Sequence, residues 1–198
     1  MKKIITSTLV LVLITLVAGL ALSAVYELTK EPIAAAEKKA QENAYRLVMP
    51  DANGFIAVGK LEASMYPIEK ENGVTINACL TAQDAAGNSI GHVVNVTSPN
   101  GYGGDITLAV GILFDGTVQG ISVISQGETA GLGAVCAEEK FTGQFSGIKG
   151  VVEYVKTGKT EPNQIDAISG ATITTKAVTE AVNAAVAYSA EFRHNESN

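Results

Sequence analysis

Between Asp166 and Thr175 the chain reads Asp-Ala-Ile-Ser-Gly-Ala-Thr-Ile-Thr-Thr, so Ser169, Thr172, Thr174 and Thr175 place four hydroxyls within seven residues. Gly170 and Ala171 leave the backbone between them open to close approach. Downstream, Val178, Ala181, Val182, Ala185 and Val186 recur at helical spacing, so a helix begins here, with Thr174 or Thr175 as its N-cap. Its unpaired N–H groups and positive dipole end face the hydroxyl loop, an arrangement that suits an anion and above all a phosphate. The same residues would equally serve a helix that needs only a cap. A second run, Ser125-Gln-Gly-Glu128-Thr129-Ala-Gly131-Leu132-Gly133, has three glycines in seven residues, which removes the side chains that would hold a planar ligand away. A plain surface loop is the alternative there. Gly101-Tyr102-Gly103-Gly104 is a third flexible corner, and not a dinucleotide fingerprint, because a strand pattern and no helix follows it.

These segments need elements to hold them. From Val74 the apolar residues alternate as in strands, through Ile76 and Ala78. Asp84 to Asn88 forms a turn before Ile90 to Val96, and Thr107 to Phe114 meets Thr117 to Ile124 at Asp115-Gly116, a strong hairpin signal. The expected fold is α+β, a mainly antiparallel sheet with flanking helices.

Ahead of the sheet, Ile4 to Tyr26 carries no charge and is long enough to cross a bilayer as one helix. Lys2 and Lys3 precede it, which places the N-terminus in the cytoplasm and the remainder on the other face. A cleaved signal peptide ending near Ala21-Leu-Ser23 is the rival reading, but the apolar run is longer than an ordinary signal core. Thr29-Lys-Glu-Pro32 then resembles a new helix start. Ile33, Ala36, Ala40, Ala44 and Leu47 form one face of a juxtamembrane helix that Met49-Pro50 ends. The organisation is therefore residues 1–3 cytoplasmic, 4–26 transmembrane, 27–50 juxtamembrane helix, 51–192 a ligand-binding domain and 193–198 a flexible tail.

At 198 residues, 46% hydrophobic and 17% charged, the chain has one domain's worth of core to bury. A net charge of −6 and the lack of a Lys/Arg cluster argue against nucleic acid. Cys79 and Cys136 lack zinc spacing; they either pair once or act as small buried hydrophobes. With two histidines, one of them in the tail, neither a histidine metal site nor a catalytic triad is expected.

Taken with those segments, Asp166-x-x-Ser169-Gly170-Ala171-Thr172 resembles the flavinylation motif of the FMN-binding domain family. Glu128-Thr129 followed by Gly131-Leu132-Gly133 resembles its second signature, and Gly101 to Ile106 a third. Together with the anchor and the helix after it, the patterns resemble the RnfG family, the G subunits of the Rnf ion-translocating electron transport complexes. The C subunit of the sodium-pumping NADH:quinone reductase is a more distant relative. Two positions depart from the pattern: Gln126 stands where the family carries histidine and Ala130 where it carries proline, which leaves any proton-linked or loop-stiffening role there open.

The resemblance implies an FMN joined through its phosphate to the Thr172 hydroxyl by a flavin transferase that uses FAD and a divalent metal. It implies an electron-transfer subunit of a membrane complex linking reduced ferredoxin and NAD to Na⁺ or H⁺ transport. In that picture Ser169, Gly170 and Ala171 shape the attachment loop, and Thr174 and Thr175 hydrogen-bond the phosphate. Glu128, Thr129, Gly131, Leu132 and Gly133, with Tyr102, lie along the ribityl and ring region. One-electron transfer needs no general acid or base, so no catalytic residue is expected. An anchored FMN carrier of another extracytoplasmic reductase chain, or an exported module without redox function, are the competing readings.

Overall fold

The structure is a computed structural model that describes residues 2–58 and 72–196. It divides into two compact units, residues 1–40 and 41–198.

The first unit is helical throughout, within α1 (Lys2–Val48). Its side chains from Ile4 to Tyr26 are uncharged, mostly apolar and exposed, and the helix is long and apolar enough to cross a membrane. Three threonine hydroxyls bond back inside the helix: Thr8 donates to the Ile4 carbonyl at 2.9 Å, Thr15 to the Leu11 carbonyl at 3.1 Å and Thr29 to the Val25 carbonyl at 2.9 Å. In lipid, where water cannot accept those bonds, such back-bonding removes the cost of a bare polar group. The sequence suggests a new helix starting around Thr29 to Pro32, yet α1 runs through Pro32 without a break. The ring removes one helical N–H donor there, and the turns on either side hold the geometry.

The second unit opens with the last turns of α1, from Gln41. Five strands follow: β1 (Gly54–Val58), β2 (Thr75–Gln83), β3 (Ser89–Gly101), β4 (Gly104–Leu113) and β5 (Val118–Ser125). They pair in chain order as an antiparallel meander. The alternation read from the sequence is real. Val94 and Val96 of β3 with Leu108, Val110 and Ile112 of β4 point to one face, and Val93 and Ala109 point to the other. A long connection, residues 126–171, follows, including the single-turn helix α2 (Glu139–Thr142) and the parallel pair β6 (Glu153–Val155) and β7 (Gln164–Asp166). The long helix α3 (Thr172–Glu196) closes the chain.

The two faces are covered differently. On one, α3 buries Ala177, Val178, Ala181, Val182, Ala185 and Tyr188 against β3 and β4. Each of the larger of these contributes about 1.5–3 kcal/mol by leaving water. On the other, the end of α1 sets Ala44, Tyr45, Val48 and Met49 against Ala82, Val93 and Ala109. Glycine makes that second seat possible. A side chain on Gly111 would run into the Val48 carbonyl, and one on Gly91 would meet the Met49 methyl at 2.8 Å. Asn95 donates to the Tyr45 hydroxyl at 3.2 Å on the same face.

Residues 193–196, expected as a flexible tail, continue α3 as helix, and residues 197–198 lie outside the described residues. Residues 59–71, assigned to the ligand-binding domain, also lie outside them. Cys79 and Cys136 form no disulfide and are both buried, as small core residues.

Within the core, His92 packs edge-on against Phe114 and Phe192, and its Nδ1 lies 2.9 Å from the Ser189 hydroxyl of α3. Burial, and then the nearby Arg193, hold its imidazole below the ordinary value of 6.5. The unfolded chain therefore takes up a proton near pH 6.5 that the folded ring refuses, so this contribution is complete above that pH and falls as the pH drops. Thermal unfolding of the full chain should show a midpoint that declines as the pH falls below about 6.5, and His92→Gln should flatten that slope.

Candidate functional site

Three segments far apart in sequence meet at one end of the sheet, beyond the strand ends: the β3–β4 corner, the loop after β5, and the loop that opens α3. They enclose a cleft of about 590 Å³ lined by Tyr102, Glu128, Thr129, Leu132, Gly133, Gly170, Ala171, Thr172, Ile173 and Thr174.

The opening of α3 is fixed by its threonines. Thr175 is fully buried; its hydroxyl accepts the Ile168 N–H at 3.0 Å and donates to the Ala171 carbonyl at 3.0 Å. The first helical backbone bond, from the Thr175 N–H to the Ala171 carbonyl at 3.0 Å, starts α3 at Thr172, three or four residues earlier than a Thr174 or Thr175 cap would have it. The N–H groups of Thr172, Ile173 and Thr174 precede that bond and so have no acceptor within the helix. Gly170 turns the chain into the helix at φ 77°, a conformation that favours glycine. Behind this loop, Gln144 accepts the Asp166 N–H at 2.8 Å and donates to its carbonyl at 3.3 Å, which secures the end of β7.

The glycine loop is held to the corner. Gly103 donates to Glu128 Oε1 at 2.8 Å, and a side chain at Gly103 would run into the Gly127 carbonyl. Glu128 Oε2 accepts the Thr174 hydroxyl, while the Glu128 N–H is taken by the Gln126 side-chain oxygen. Gln126, which departs from the family pattern, thus orders the loop from within. Cys136 lies just behind it. Burial first, and then the Glu128 carboxylate, push its thiol up to about 11, so at neutral pH it is a packing group and not a nucleophile.

Nine residues named from the sequence converge on the cleft: Tyr102, Glu128, Thr129, Leu132, Gly133, Gly170, Ala171, Thr172 and Thr174. Three do not line it. Ser169 is exposed on the loop, Gly131 turns the chain at φ 76°, and Thr175 faces inward. Ile173 was not singled out by its type or position, yet it lines the cleft with 53% of its surface exposed, opposite a half-exposed Leu132. Its only signal was an apolar residue where the first turn of a capped helix would be expected to face water. The cleft therefore offers apolar walls, three N–H groups without a helical acceptor and, at the head of α3, one exposed hydroxyl, Thr172, features that fit a planar ring carrying a phosphate. Among the described residues, no group of three or more His, Cys, Asp or Glu is placed to hold a metal ion.

Comparison with known proteins gives two family matches, an FMN-binding domain over residues 101–187 and an RnfG N-terminal region over residues 1–48. The chain is 35% identical to the G subunit of the proton-translocating ferredoxin:NAD(+) oxidoreductase complex of Clostridium ljungdahlii, over 86% of this chain and 83% of that one. It is 32% identical to the G subunit of the ion-translocating oxidoreductase complex of Methanosarcina acetivorans, over 94% and 95%. To the G subunit of the Na(+)-translocating ferredoxin:NAD(+) oxidoreductase complex of Acetobacterium woodii it is again 32% identical, over 90% and 87%. In fold it is similar to Shewanella oneidensis NqrC, with a TM-score of 0.52 at 18% identity over 75% of this chain and 72% of that one. It is similar also to the C subunit of the Na(+)-translocating NADH-quinone reductase of Parabacteroides distasonis, with a TM-score of 0.53 at 23% identity over 72% and 78%.

The lock at Thr175 can be tested without any ligand. Thr175→Val keeps the volume but leaves the Ile168 N–H buried without its acceptor, and urea unfolding should show a loss of about 1–3 kcal/mol.

Proposed function

The chain belongs to the RnfG family, the G subunits of ion-translocating oxidoreductase complexes, and on that premise we propose that it carries an FMN bound covalently through its phosphate to Thr172. The observation that carries this reading is the disposition of four hydroxyls. Thr174 donates to Glu128 and Thr175 is buried in the loop lock, while Ser169 is exposed away from the cleft. Thr172 alone is both exposed and on the cleft wall, next to the free N–H groups of α3.

Attachment by a flavin transferase from FAD balances simply. The Thr172 oxygen bonds to the phosphorus of the FMN half, the pyrophosphate link breaks, and AMP leaves. The hydroxyl proton passes to a base of the transferase. The N–H groups of Thr172, Ile173 and Thr174 would hold the phosphate oxygens, and Leu132, Ile173 and Tyr102 would flank the ring. Bound FMN supplies the one- and two-electron redox chemistry, while the chain positions it and limits its access to water.

In this reading residues 4–26 anchor the protein as a single membrane span, with Lys2 and Lys3 in the cytoplasm and the FMN-binding domain outside. A covalent link suits that side of the membrane, since a flavin held only by contacts would be lost where free FMN is scarce. The chain relays electrons within a ferredoxin:NAD oxidoreductase complex that moves Na⁺ or H⁺. Relatives named for a proton and for Na(+) resemble it to a similar degree, and we assign the choice of ion to other subunits.

Purified from cells that contain a flavin transferase, the protein should stay yellow in denaturant and co-purify with multi-spanning membrane subunits. Thr172→Ala should lose the denaturant-resistant flavin entirely, and Thr172→Ser should keep it. Flavin that survives denaturation in the Thr172→Ala protein would contradict the assignment.

A further inference from the structure

Glu128 is nearly buried on the wall of the cleft, at 8% exposure, and both of its carboxylate oxygens are committed. Oε1 accepts the Gly103 N–H at 2.8 Å and Oε2 accepts the Thr174 hydroxyl. Both partners donate, which is the pattern an ionised carboxylate, an acceptor only, is built for. The space around it is kept by glycines: a side chain on Gly101 would come within 2.7 Å of Oε1, and one on Gly133 would run into Oε2. Among the described residues no Lys or Arg forms an ion pair with it; the pairs present are Lys149 with Asp115 and Lys176 with Glu180.

A carboxylate that joins two walls of a cleft could do so as well with a neutral amide, unless its charge matters. We propose that Glu128 is a positioning residue that ties the first turn of α3 to the β3–β4 corner and, through its negative charge, opposes electron uptake by the flavin held in the cleft. This rests on the FMN reading above. An electron added to the ring brings negative charge towards a low-dielectric wall that already holds one, so the potential is set low by this wall. The flavin of such a protein then passes electrons onward more readily than it retains them.

The test uses the full chain, loaded with flavin in cells, and reads the midpoint potential by spectroscopic titration together with the flavin content by mass. Wild type without covalent flavin would defeat the FMN reading itself and not this inference. Glu128→Gln preserves shape; its amide oxygen can accept from Gly103 and its amide nitrogen can donate to the Thr174 oxygen. It should load flavin and titrate at a higher midpoint than wild type. Glu128→Asp restores the charge on a shorter stem and should bring the midpoint back down, with less flavin loaded. Thr174→Val cuts one hydrogen bond but keeps the charge, and its midpoint should not rise. An unchanged midpoint in Glu128→Gln, or an equal rise in Thr174→Val, would overturn the proposal. Should Glu128→Gln fail to accumulate, the Asp and Val variants decide it, a midpoint raised in both being contrary to the charge argument.

Discussion

The fold depends on how closely α3 lies on the sheet. Ala177, Ala181 and Ala185 on its buried stripe leave little between helix and strands, and Val178, Val182 and Tyr188 fill the space on either side. Small side chains allow that approach, and close packing makes any sliding of the helix costly. The consequence lies at its other end. Because the stripe fixes the axis, the first turn at Thr172 is brought to the end of the sheet, where the β3–β4 corner and the glycine loop already meet. A helix seated less firmly would leave three loops with nothing to converge on.

The same logic explains what the sequence makes legible. The central strands are buried on alternating faces, so their alternation is strong, and Asp115-Gly116 marks the hairpin because a tight turn demands those residue types. β1 is a five-residue edge strand, and β6 and β7 have three residues each, too few for any periodicity to emerge. The start of α3 was displaced because a threonine hydroxyl can cap a helix or bond back to the carbonyl four residues before it. Thr175 does the second. In the same way Glu128 reads from sequence as a residue along the ring. It turns out to be the joint between two walls, a role that depends on the distant Gly103 and Thr174 and leaves no local signature.

The sheet separates two tasks. One face receives the end of α1 on a seat of glycines, Gly91 and Gly111. The other supports α3, whose first turn provides the hydroxyl and the free N–H groups. The chemistry asked of this chain is modest. It must fix a redox-active ring in place, present it at an edge and set its electrostatic surroundings, all of which are problems of packing and hydrogen bonding. That is why the cleft is rich in glycine and threonine.

The central claim is that one accessible hydroxyl at the head of α3 bears the flavin. It is tested most directly by trypsin digestion of the protein isolated from its native membranes and mass measurement of the peptide spanning residues 160–176, with fragmentation to locate any addition. The account predicts that this peptide is heavier by one FMN less one water, with the added mass on Thr172. An unmodified peptide, or the mass on Ser169, Thr174 or Thr175, would contradict it.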